Sequence, residues 1–262
     1  NCSICYCIIR EYSMNILLTN DDGYKASGIT NLYKALSKEH NVYLIAPKEN
    51  CSGMSAAISL RKEIEVKEIS KNIYSVDGTP ADCSYLGLLS VIPDSIEMIV
   101  SGINLGANLG EDIFYSGTVG AAIAGRRLNY VPVAFSVTSF NPKNLSFITE
   151  QANLIVNQVS KLPNNKNLLV NVNFPDLSAS KLNGTKLTVI GKRGTPDTPD
   201  FIRSNNSSKF YSFGPSGKLL PDQLDTDIQA IEDDFISISI LDYNLSVDAS
   251  NWNYYREVFD CE

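Results

Sequence analysis

The sequence predicts an α/β fold with a doubly wound, largely parallel sheet, followed by a region of β-hairpins. Three observations carry that prediction. Apolar runs of strand length alternate with helical stripes up to about residue 176. The runs are nearly continuous rather than alternating, as in strands covered on both faces. Beyond residue 176 the alternation gives way to sequence rich in Pro, Asp and Ser.

The elements follow in order. MNILLT (14–19) is a buried strand that stops at NDDG. Ser27 to Lys38 sets Ile29, Leu32, Tyr33 and Leu36 on one helical stripe, with Ser27 as its cap. NVYLIAP (41–47) is a second buried strand, stopped by Pro47. Residues 63–78 hold two alternating segments that read as a hairpin or edge pair. Thr79-Pro80 opens a helix to about Val91, since proline suits the first turn. IEMIVSG (96–102) is a strand entering a Gly-rich loop, and Gly117 to Leu128 a small-residue helix. VPVAFSV (131–137), a helix from Asn144 to Leu162 and LLVNVNF (168–174) complete the alternating part. Later strands are read at 186–191 and 235–241, around a Pro-, Asp- and Ser-rich segment at 194–209, and this half as a whole reads as irregular hairpins, an arm packing on a partner subunit. Residues 1–13 read as a peripheral extension, 14–176 as the catalytic core, and 177–262 as a hairpin region completing the same domain.

Composition removes several classes. Net charge is −7, and basic residues gather no further than isolated pairs such as Arg126-Arg127 and Lys192-Arg193, so no stripe for nucleic acid is expected. No stretch is long and apolar enough to span a membrane, and residues 1–13 lack the pattern of a signal peptide; a cytoplasmic location is expected. The single histidine, His40, reads as a solvated surface residue, which argues against serine-triad, phosphohistidine and His-rich zinc chemistry. Cys2, Cys5 and Cys7 lack a second ligand pair for zinc; Cys51 and Cys83 read as reduced thiols.

The candidate chemistry lies in three loops after strands. TNDDG (19–23) sets Asp21 and Asp22 side by side after a buried strand. Adjacent carboxylates raise a pKa or recruit a cation, and oxygen ligands favour magnesium, manganese or calcium. Taken alone, the segment reads equally as a turn that caps the next helix. PKENCSG (47–53) offers the Ser52 hydroxyl, otherwise a loop serine. SGINLGANLGEDIFYSGTVG (101–120) supplies Gly102, Gly106 and Gly110 for close backbone approach, and Asn104 and Asn108 as neutral oxygen donors. Ser116-Gly117-Thr118 then opens a helix whose free amides suit an anion. Right-handed crossovers bring all three loops to one rim, where such folds bind ligands.

On these segments the chain resembles the survival protein SurE family of metal-dependent 5'-nucleotidases. The matching motifs are ILLTNDDGYKASGI, YLIAPKENCSG, VDGTPADC, SGINLGANLGEDIFYSGTVGAAIAG and TDIQAI, in order from residue 14 to about 240. The resemblance implies a Rossmann-like core and one divalent cation per subunit, magnesium or manganese, on Asp21, Asp22, Ser52 and Asn104. It implies phosphate contacts at Asn20, Asn108, Ser116, Gly117 and Thr118, and Asp21 and Asp22 as the catalytic pair. It further implies action on nucleoside 5'- and 3'-monophosphates and short polyphosphate, in homodimers or homotetramers joined through C-terminal hairpins. Two departures bear on base preference and subunit contacts: Cys51 stands where the family commonly has a polar or basic residue, and 193–216 lacks much of the family's usual Arg-Gly and Tyr-Trp pattern.

The expected chemistry is metal-assisted attack of water on the phosphate ester, with Asp21 orienting or deprotonating the water. Two other classes stay open: a phosphatase forming an aspartyl-phosphate, and a non-catalytic nucleotide or phospho-receiver module. Asp82 reads as a helix-start residue or part of a loop shaping the pocket, Asp77 as its companion across GTPA, and Asp227 as a hinge or cap. Trp252, Tyr254 and Tyr255 read as tail packing.

Overall fold

A computed structural model of the chain describes residues 13–162, 168–213, 217, 220, 224–242, 244, 246, 256 and 258. The N-terminal cysteine cluster, most of the extension at 1–13, and Trp252, Tyr254 and Tyr255 lie outside the described residues. The elements run β1 (Asn15–Thr19), α1 (Ser27–Leu36), β2 (Asn41–Pro47), β3 (Val66–Ser70), β4 (Ile73–Val76), α2 (Pro80–Leu86), β5 (Met98–Leu105), α3 (Gly117–Ile123), β6 (Val133–Val137), α4 (Leu145–Val159), β7 (Leu168–Phe174), β8 (Gly184–Thr188), β9 (Asp200–Ser204), β10 (Lys209–Ser212), α5 (Asp227–Glu232) and β11 (Phe235–Asp242).

One nine-stranded sheet takes the order β3-β4-β2-β1-β5-β6-β7-β11-β8. From β4 to β7 every neighbouring pair is parallel. The chain runs outward from β1 through β2 and β4, then returns to β5 on the other side of β1. The strand order reverses there, so the segments leaving β1 and β5 diverge and open a crevice beyond their C-terminal ends. Alternation within β1 accounts for its double burial. Ile16 and Leu18 pack with Ile29, Leu32 and Leu36 of α1 and with α4, whereas Leu17 joins Ile45, Ile99 and Cys83 on the α2 face.

Several expectations change on folding. Residues 177–242 are not all hairpin: β11 pairs antiparallel with β7, and β8 pairs parallel with β11, so both extend the main sheet. Only β9 and β10 form a separate antiparallel hairpin. Thr79-Pro80 opens α2 as expected, and Thr79 caps it in a reciprocal capping box with Asp82. Ser27 caps nothing, because the residue before α1 is Ala26 and Ser27 is already its first helical residue.

His40 is buried rather than solvated, at 7% exposure. The turn after α1 tucks it beneath the start of β1, where its Nδ1 accepts a 3.4 Å bond from the Met14 amide. It precedes β2 and so lies at the end of the sheet opposite the Asp21-Asp22 turn. Among the described residues, no helix is long and apolar enough to cross a membrane.

Asp227 is neither hinge nor N-cap; Thr226 caps α5. The Asp227 carboxylate is buried and accepts bonds from the amides of Gly110, Gly191 and Ile228, at 2.7, 2.9 and 2.9 Å. It therefore ties the loop after β5 to the C-terminal part of the fold.

α1 approaches the sheet closely at Gly28, where an added Cβ would stand 1.9 Å from the Ile103 carbonyl oxygen. Gly28→Ala must lift α1 from β5, and is expected to lower stability by about 2–3 kcal/mol, read as a lower urea midpoint at unchanged slope. Ser27→Ala removes no cap and should stay within about 0.5 kcal/mol of the parent. Equal losses from the two substitutions would contradict this packing.

Candidate active site

The acid pair sits in a turn that its neighbour closes. Asn20 is fully buried; its Nδ2 donates to the Gly23 carbonyl at 3.0 Å and its Oδ1 accepts from the Gly23 amide at 3.2 Å. Both polar ends of Asn20 are thus used in presenting Asp21 and Asp22.

Asp21 is 4% exposed. Thr118, the second residue of α3, donates its hydroxyl to Asp21 Oδ1 at 2.6 Å. Burial pushes the carboxyl up to about 6, the Thr118 hydroxyl draws it back, and the charge of Asp22 raises it again; the Thr118 amide also lowers it. The close approach of α3 requires Gly117, since a Cβ there would lie 2.9 Å from Asp21 Cβ and 3.0 Å from Oδ2. Ser116 caps α3, its Oγ accepting from the Val119 amide at 3.1 Å. The start of α3 therefore directs its Thr118 donors at a buried carboxyl, the placement that a helix N-terminus favours.

Asp22 is half-buried and its carboxyl is likewise raised, by burial first, against the Leu105 amide. That amide donates to Oδ2 at 3.0 Å, and Asn50 Nδ2 lies 3.4 Å from Oδ1. Asn50 Oδ1 in turn accepts from the Ser52 amide at 2.9 Å, while the Cys51 amide donates to the Asp21 carbonyl at 2.8 Å. The loop carrying exposed Ser52 is thus tied to the acid pair through its backbone and Asn50.

Asn104 lies within β5, not in the loop expected after residue 102. An irregularity between Ser101 and Asn104 in the pairing with β6 re-aims the strand end. Asn104 Nδ2 donates to the Gly106 carbonyl at 2.8 Å, leaving the amide oxygen as its donor atom for a cation. Gly102, Gly106 and Gly110 all take positive φ, at 128°, 139° and 58°. Asp82 has a double role: beyond the capping box, its Oδ1 accepts from the Ser59 amide at 2.9 Å and holds the loop after Ser52. Asp77 is exposed.

Asn108 belongs to a buried network further along the rim. Its Nδ2 donates to Ser136 Oγ at 2.8 Å, its amide to Asn173 Oδ1 at 2.9 Å, and its carbonyl accepts from Asn171 and Asn173 at 3.0 and 2.9 Å. Asn50, Ser136, Asn171 and Asn173 are the supporting residues that pattern reading passed over. The signal for two of them was present: VNVN places asparagine at alternate, buried positions of an otherwise apolar strand.

Among the described residues, no group of three or more His, Cys, Asp and Glu side chains gathers in a metal-binding arrangement. The site instead offers two carboxylates with neutral oxygen donors, a set that suits a hard cation keeping some of its waters.

Residues 16–197 match the family model for survival protein SurE. The chain is 36% identical over 233 residues to the 5'-nucleotidase SurE of Vesicomyosocius okutanii subsp. Calyptogena okutanii, covering 89% of this chain and 93% of that one. It is 36% identical over 251 residues to the 5'/3'-nucleotidase SurE of Wigglesworthia glossinidia brevipalpis, covering 93% and 100%. The crystal structure of the SurE protein from Aquifex aeolicus superposes with a TM-score of 0.82 at 31% identity, covering 94% of this chain and all of that one.

The raised carboxyl of Asp21 sets the sign of a pH dependence in metal-free protein. Below the ordinary value of 3.8 both folded and unfolded forms hold the proton. Between there and about 6 the unfolded chain ionises first, so stability falls as pH rises, and above about 6 the loss is complete. With chelator present, Asp21→Asn should be more stable than the parent at pH 7 by on the order of 2 kcal/mol, the difference vanishing near pH 4. Urea titrations from pH 4 to 7 measure it; a parent that gains on the variant as pH rises would refute the assignment.

Proposed function

This chain belongs to the survival protein SurE family, and from that premise we propose that it is a divalent-metal-dependent phosphomonoesterase hydrolysing nucleoside 5'- and 3'-monophosphates to nucleoside and phosphate. The observation that carries the proposal is the paired clamp on the acids. Thr118 fixes Asp21 and the Leu105 amide fixes Asp22, at the crevice between β1 and β5.

Asp21, Asp22, Ser52 and Asn104 are the residues proposed to hold one magnesium or manganese ion. Two features support the fit: adjacent carboxyls whose burial raises their pKa, and an asparagine whose nitrogen is already committed. Bound there, the cation would offset phosphate charge and make water more acidic. The protein supplies the rest. Thr118 holds one oxygen of Asp21, leaving the other to orient and deprotonate the attacking water. Asn20 keeps the acid turn rigid. Asn108, immobilised by Ser136 and the two β7 asparagines, is proposed to donate to the phosphoryl oxygens together with Ser116 and the Gly117 amide at the start of α3, while Thr118, whose hydroxyl and amide both face Asp21, is proposed to act through that carboxylate. Asn20 is proposed to act through the turn it closes.

The β9–β10 hairpin is exposed along its whole length, with Phe201 and Tyr211 packed edge to face at 5.8 Å. It supports assembly into a homodimer or homotetramer through this arm. Short polyphosphate is a further proposed substrate, since the site need grip only the terminal phosphoryl group.

Asp21→Asn and Asp22→Asn are each expected to lower kcat for AMP by about 10³ or more. Chelation should abolish phosphate release and added manganese or magnesium restore it. In labelled water the label should enter phosphate and not the protein; label in the Asp21 carboxylate would favour the aspartyl-phosphate route. Phosphate release that persists in the absence of metal would sink the proposal.

A further inference from the structure

We propose that Phe140 is the platform on which the substrate's base stacks. This deepens the phosphatase proposal above and rests on it for the location of the phosphate. Phe140 lies in the segment after β6 and is 84% exposed, an unusual setting for a large apolar ring.

Exposure alone would mean little, but two further features make this ring part of the site. First, it lies against the backbone beside a proposed metal ligand. A Cβ added at Gly106 would meet Phe140 Cε1 at 3.0 Å and Asn104 Nδ2 at 3.6 Å, so ring and asparagine flank the same point. Gly106, lacking a side chain, leaves the seat that the ring occupies.

Second, the segment carrying Phe140 is anchored at both ends. The Thr138 amide donates to the Phe174 carbonyl at 3.0 Å, and the Asp176 amide to the Thr138 hydroxyl at 3.3 Å. The Asp176 carboxylate accepts from the Lys143 amide at 2.9 Å and from the Asn144 amide at 2.9 Å, and these bonds hold its own carboxyl below the usual range despite some burial. A ring on so fixed a segment is pre-organised to receive a flat partner without an ordering cost. A nucleoside monophosphate places a flat base one sugar away from its phosphate. Every base has a π-face, so a ring beside the metal site favours nucleotides over simple phosphate esters without choosing among bases.

The test compares the full chain with Phe140→Leu and Phe140→Trp on AMP and on ribose 5-phosphate, which has no base. Phe140→Leu should raise KM for AMP by about tenfold, leave kcat within about twofold, and leave ribose 5-phosphate unchanged. Phe140→Trp should keep the parental KM for AMP. Titration calorimetry of AMP should show the same tenfold weakening in Phe140→Leu, so stacking is decided even where turnover is absent. An unchanged AMP affinity, or equal losses on AMP and ribose 5-phosphate, overturns the proposal. A parent that releases no phosphate from AMP overturns the phosphatase proposal instead, and calorimetry still decides the platform.

Discussion

Burying the Asp21 carboxyl is the constraint on which the rest of the site depends. A carboxyl taken out of water next to a second one resists ionisation, and this one is pushed up to about 6. Without hydrogen-bond donors, burial would raise it further. The fold counters this locally: α3 brings its first turn against Asp21, the Thr118 hydroxyl grips one oxygen, and Gly117 permits the contact. Asp22 receives the Leu105 amide in the same way. The carboxyls stay close to ionisation while remaining sheltered, so a hard cation can supply the missing charge.

That local compensation works only because distant segments are held in place. Asp21 and Asp22 leave β1, Leu105 ends β5, and Thr118 begins a helix on the opposite face of the sheet from α1. Gly28 lets α1 sit against Ile103, which fixes β5 from one side. Asp227 binds the amides of Gly110 and Gly191 and so anchors the loop between β5 and α3 from the far end of the chain. A second buried polar group, the Asn108, Ser136, Asn171 and Asn173 network, carries the same loop across the ends of β6 and β7. Such networks hold one geometry because a broken member leaves buried donors or acceptors unpaired.

The helix start at Ser116-Gly117-Thr118 shows how one structural feature can face two demands. Its orphan amides suit a phosphate, yet the Thr118 donors are directed to Asp21 and the Ser116 hydroxyl to Val119. Under the proposed function, positioning of the acid and recognition of the phosphoryl group would be coupled through a single turn. Changes at Thr118 should disturb both, and separating them calls for measurements of binding apart from turnover.

The sequence by itself determined the strands of the core, the strand-end placement of Asp21-Asp22 and the helix start at Thr79-Pro80. These are local: apolar runs, a carboxylate pair and a Thr-Pro start act over a few neighbouring residues. The family motifs also made membership of the SurE family legible. Only the tertiary structure decided matters set by long-range contact. His40 is buried because the turn after α1 tucks it beneath Met14. Asn104 belongs to a strand because β6 pairs with it past the irregularity. β11 joins the main sheet because β7 offers it an edge, and β8 then adds to β11. Asp227, Asn50 and Asn173 matter through partners 117, 28 and 65 residues away in sequence. A side chain's pattern along the chain tells which face it can take, whereas the partner that satisfies it is chosen only when the sheet and its loops close.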